Sequence, residues 1–113
     1  MVRFLKSDDT FSQNLASAAL THSLTFTKPT KLQKITIHAS VAITEDITIT
    51  LDSVQGASYD VVLRKKSLSA EQDFVYTPEG ENDYQTGDII KVECTNANLT
   101  GTVSGIIKTR ELN

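Results

Sequence analysis

Residues 32–51 constrain the fold more than any other stretch of the chain. Leu32, Ile35, Ile37, Ala39, Val41 and Ile43 interleave with Thr36, His38, Ser40 and Thr44; after Glu45-Asp46, Ile47, Ile49 and Leu51 alternate with Thr48, Thr50 and Asp52. Successive side chains of an extended chain point to opposite faces, so a period of two predicts strands with one apolar face. Helices need apolar positions three and four apart, and only residues 11–19 could hold even a short one. The two strands should either pair as a hairpin or bend from one sheet into another.

The same reading extends along the chain. Ala18, Leu20, His22, Leu24 and Phe26 alternate with small polar residues, and Lys28-Pro29-Thr30-Lys31 stops that strand because proline donates nothing to a ladder. Gly56 marks a turn over 53–58, since glycine takes positive φ without steric cost. Tyr59, Val61 and Leu63 are expected to face inward before Arg64-Lys65-Lys66 closes their strand, and Phe74, Val75 and Tyr76 form a short strand before a polar loop at 77–83. Ile90, Val92 and Cys94 point inward, and with Val103 and Ile107 they predict a hairpin around Asn96-Ala97-Asn98. Fifteen threonines and many Val and Ile residues suit a pleated surface. Seven or eight short strands at regular spacing predict an all-β fold, an antiparallel β-sandwich over 15–113 that is jelly-roll-like or immunoglobulin-like. In residues 1–14, Val2, Phe4, Leu5 and Phe11 surround Ser7-Asp8-Asp9-Thr10 without a sustained period, which predicts an extended N-terminal arm.

A chain of 113 residues is the size of one domain. Its net charge of -3 offers no field to attract nucleic acid or an anionic membrane. With one cysteine, Cys94, no intrachain disulfide forms, so the core alone must hold the fold. No run approaches 18 apolar residues, and Met1 to Asp9 lacks the apolar stretch of a signal peptide, which predicts synthesis and retention in a cytoplasm.

The chemistry-bearing residues are few. His22 and His38 fall on different strands, one on an apolar and one on a polar face, without an obvious third ligand for a metal. Cys94 alternates with Ile90 and Val92 and reads as a buried structural thiol. Glu71, Asp73, Glu79, Glu81, Asp83 and Asp88 are the carboxylates that calcium would need, at a spacing that matches no calcium loop. Lys28, Lys31 and Lys34, and Arg64, Lys65 and Lys66, form two basic clusters without interleaved aromatics to stack on bases. Asn98-Leu99-Thr100 matches a glycosylation sequon, which matters only outside the cell. No nucleophile elbow, phosphate-cradling loop or paired acid motif is present, so neither an enzyme nor a cofactor is expected.

The polar N-terminal segment, the strand series over 24–51, the turn at Gly56, Tyr59-Asp60-Val61 and the late TGDIIKVECTN stretch together resemble small β-sandwich proteins of tailed bacteriophage particles, including capsid decoration and other accessory virion proteins. The resemblance covers residues 24–112. It implies a sandwich present in many copies in the virion, a homo-oligomer or multi-copy assembly bound to capsid or other virion proteins through its arm, edge strands or loops. Phe4, Leu5 and Phe11 are then the expected anchors, because apolar residues on a segment without its own core find burial in a partner. Alternatively, residues 2–6 add an edge strand to their own sheet. A second functional class is a small carbohydrate-binding or host-adhesion module, for which Tyr84 would be the stacking platform in a chain without tryptophan.

Overall fold

The computed structural model describes residues 6–78 and 83–112. Among the described residues nine strands account for nearly all of the regular structure: β1 (Lys6–Asn14), β2 (Leu20–Thr25), β3 (Thr30–Ile43), β4 (Asp46–Asp52), β5 (Val61–Ser67), β6 (Glu71–Tyr76), β7 (Asp83–Tyr84), β8 (Ile89–Cys94) and β9 (Thr102–Glu111). The one helical element among the described residues is a single 3-10 turn, Ala57–Tyr59, so residues 11–19 hold no helix.

Two antiparallel sheets result. Sheet A runs β1-β9-β3-β6, with β7 also paired to β3, and sheet B runs β2-β8-β4-β5. The first half of the chain pairs with the second as one long hairpin: β4 with β5, β3 with β6, β2 with β8 and β1 with β9. Rolling that hairpin brings β9 against β3 and β8 against β4, which closes the sheets. This is the jelly-roll form of the sandwich, two interlocked Greek keys. An immunoglobulin sandwich would keep its first two strands in one sheet, whereas β1 and β2 lie in different ones.

The alternation read from the sequence builds the core. Ile35, Ile37, Ile47, Ile49, Ile90, Val92, Val103 and Ile107 are all buried, and with Leu15, Leu20 and Leu32 they form one cluster between the sheets. Truncating one of them, as in Ile49→Ala, removes contact area and leaves a cavity worth about 2–5 kcal/mol. Leu32 and Ile35 are both fully buried although they differ in parity, because a register shift between Leu32 and Lys34 inserts one residue and restores the inward face.

Three expectations need correction, and one alternative is decided. The segment 89–111 is not a hairpin: β8 joins sheet B and β9 joins sheet A, so the Asn-rich connection crosses the sandwich. The alternative of a bend between sheets is the one realised at Glu45, where β3 leaves sheet A and β4 enters sheet B. Tyr59 and Val61 do not face a core; they are 63% and 49% exposed, because β5 is the last strand of its sheet and its start lies at the rim. Residues 6–14 are not an arm but an edge strand, paired with β9 from Lys6↔Arg110 to Asn14↔Thr102.

Candidate functional site

Of the three expected anchors, Phe4 and Leu5 lie outside the described residues. Phe11 is 8% exposed and belongs to this chain's own core, so it is unavailable to a partner. Its register partner is Gly105, and the ring lies over the space a side chain would fill; a Cβ at position 105 would collide with it. The ring also stacks on His22, with centroids 5.0 Å apart.

The two histidines serve separate contacts. His22 Nε2 lies 2.5 Å from Asp9 Oδ2 and joins the edge strand of sheet B to that of sheet A. His38 Nδ1 lies 2.7 Å from Asp73 Oδ1 on the outer face of sheet A, where both are well exposed. Register places Asp73, His38, Ser104 and Ser12 in one row across four strands. An acid–base–nucleophile relay would require the serine hydroxyl to meet the imidazole, but Ser104 Oγ instead bonds Ser12 Oγ at 3.1 Å. Among the described residues no three His, Cys, Asp or Glu side chains converge on a common point.

Cys94 is buried beneath sheet B and its Sγ donates to Thr95 O at 3.4 Å. Burial first, then the charges of Glu45 and Asp46, push its thiol up to about 11, which disfavours the nucleophilic thiolate. Tyr84, the expected sugar platform, stacks on Phe26 at 5.6 Å, and burial, with the nearby Tyr76 and Asp88, pushes its phenol up to about 12. One face of its ring is already taken by Phe26.

Sequence reading missed two buried carboxylates. Glu45, 4% exposed, accepts from Thr95 Oγ1 at 2.8 Å and from the amides of Ala97 at 3.0 Å and Asn98 at 2.9 Å. Burial pushes its carboxyl up, but the Asn98 amide, the Thr95 hydroxyl and the Ala97 amide outweigh that and hold it below its ordinary value. Asp88, 5% exposed, accepts from Val54 N and Gln85 N, both at 3.0 Å. The donors to Glu45 arrive from a connection about fifty residues on, and of the two donors to Asp88 Val54 is distant while Gln85 lies in the same turn.

What remains accessible is a surface. Val54, Tyr59, Val61 and Val62 are between 49% and 63% exposed on a single segment, 54–62, which leads into the basic run Arg64-Lys65-Lys66 of β5. Beside it, between edge strands β5 and β6, an open cleft of about 550 Å³ is lined by Leu63, Arg64, Val75, Tyr76 and Thr77. Isolated exposed valines are ordinary, but four exposed large apolar side chains on one short segment set it apart. No signal in the pattern separates these residues from core ones, because they are the same residue types. Comparison with models of protein families and with curated proteins finds no match to this chain.

Proposed function

We propose that the protein is a non-enzymatic virion structural protein, a capsid-associated decoration or accessory protein present in many copies. After synthesis in the host cytoplasm it attaches to the particle through segment 54–62 and the neighbouring edge of β5. The observation that carries this reading is the exposed apolar segment itself, held on a jelly-roll scaffold. Attachment there buries Tyr59, a side chain of the kind that anchors protein interfaces, together with Val62, and the adjacent cations orient the contact. The resemblance to small virion sandwiches points to the same class.

The test is saturation of particles that lack the protein. Wild type should bind to a fixed stoichiometry, and Tyr59→Asp with Val62→Asp should abolish binding while the far-ultraviolet spectrum is unchanged. Saturable binding that survives the double substitution overturns this assignment of the surface, and a lack of wild-type binding overturns the capsid reading. Tyr59, 63% exposed, also favours the second reading, a carbohydrate-binding module in which a sugar ring stacks on that phenol. Specific glycan-array binding lost in Tyr59→Ala would select it.

A further inference from the structure

The four rims of the sandwich are not alike. On three of them the edge strands carry fixed charge, which is how sheet edges are kept from pairing with other chains. β5 has Arg64, Lys65 and Lys66, and a register shift against β4 as well. β6 has Glu71 and Asp73, with Asp83 on β7 beside it. β1 has Asp8 and Asp9. The fourth, β2, reads Leu-Thr-His-Ser-Leu-Thr: it has no proline and no permanently charged residue, and it pairs with β8 over six residues without a shift. Its one titratable side chain, His22, is turned inward onto Asp9 and Phe11. Among the described residues β2 has β8 as its sole ladder partner, so its other edge presents backbone donors and acceptors unused by the sheet.

From this contrast we infer that β2 is a self-association edge, where two copies of the chain pair β2 with β2 in antiparallel fashion about a two-fold axis. Charge selects the occupant: a charged strand finds no counter-charge on β2, whereas a second β2 brings none and meets no repulsion. Parity limits the register, because residues directly opposite each other must share a face. Centring the axis on His22 would set two imidazoles face to face. Centring it on Ser23 sets Thr21 against Thr25 of the second copy and Ser23 against its own mate, a row of hydroxyl pairs on the outer face, with His22 against Leu24 beneath. Cross-strand Thr and Ser pairs of this kind stabilise sheets. The product is one continuous eight-stranded sheet, β5-β4-β8-β2 followed by its mirror order, and the contact is isologous and closed. Particle attachment uses the opposite rim of sheet B, so dimer and attachment are independent and either stands if the other fails.

Light scattering on the full chain at high micromolar concentration should give twice the chain mass of 12.4 kDa. Ser23→Lys, which places two cations on the axis, should halve that mass with an unchanged far-ultraviolet spectrum. Ser23→Cys should form an intermolecular disulfide on oxidation, while wild type, whose Cys94 is buried, and Thr48→Cys in the middle of the sheet should not. If Ser23→Lys fails to fold, cross-linking of Ser23→Cys decides alone. A monomeric wild type, a Ser23→Lys protein of undiminished mass, or no cross-link at position 23 overturns the inference.

Discussion

The two ends of the sandwich use the same device with different completeness. At one end Glu45 gathers the β8–β9 connection through Thr95, Ala97 and Asn98, and its carbonyl accepts from Leu68 in the β5–β6 connection. Asn96 reaches Leu15 O and Asn98 reaches Thr44 O, so the β1–β2 and β3–β4 connections are tied in too. At the other end Asp88 holds Gln85 in its own loop and Val54 in the β4–β5 loop. Its carbonyl accepts from Phe26 N, and the Phe26 carbonyl accepts from Gly87 N. Beyond Val54, the hydrogen bonds of 53–60 close within the segment: Gly56 N to Ser53 O, Tyr59 N to Gly56 O and Ser53 N to Asp60 Oδ1. One end is knitted across all its loops, while the other tethers its longest loop near one point and leaves the apolar side chains of that loop in solvent. Such a surface is free to meet a partner because the fold does not depend on it.

The largest effect is expected at the knitted end. Glu45→Ala strands three donors in part-buried bonds and should cost about 3 kcal/mol, read from urea unfolding. Asp88→Ala strands two and should cost about 2 kcal/mol; an equal or larger loss at Asp88 would break the comparison. The Glu45 contribution also depends on acid. Because its folded-state pKa lies below the ordinary value of 4.5, its stabilisation is complete above that value and lost as pH falls through the folded one. Glu45→Gln should therefore flatten the acid limb of a stability-versus-pH curve, and an unaltered limb would show that other carboxylates set it. Gly87→Ala sharpens the contrast: its φ of +96° disfavours any side chain, and a Cβ there would lie 2.7 Å from Val54 Cγ2. A loss of about 1–2 kcal/mol is expected, with faster amide exchange confined to the 53–60 loop. The smallest effect is at the exposed segment, where Val62→Asp should change stability by no more than about 0.5 kcal/mol while removing particle binding.

The sandwich was legible because burial on one face of a sheet writes a period of two into the residues, most clearly at Ile35, Ile37, Ile47 and Ile49. Pairing was less so. β8 and β9 look like a hairpin from sequence, yet the connection 95–101, at about 3.3 Å per residue, easily spans the roughly 10 Å between packed sheets. β1 escaped because the inward partners of Phe11 are Asp9 and Gln13, which carry no apolar signal; Asp9 is tolerated there because His22 meets it across the seam. The exposed segment was illegible for the opposite reason. Tyr59, Val61 and Val62 have the composition of a core strand, and only the position of β5 at the end of its sheet leaves them uncovered.

The pairing of first half with second also sets the course of folding. Among the described strands only β4 and β5 are neighbours in both sequence and sheet, so a local hairpin can start there, whereas Ser12 must find Ser104 across 92 residues. Closing loops of that span before their contacts form makes acquisition of structure slow. While a ribosome is still making the chain, one edge of β3 waits unpaired for β9, and the incomplete molecule exposes that edge of its longest described strand to any chain nearby.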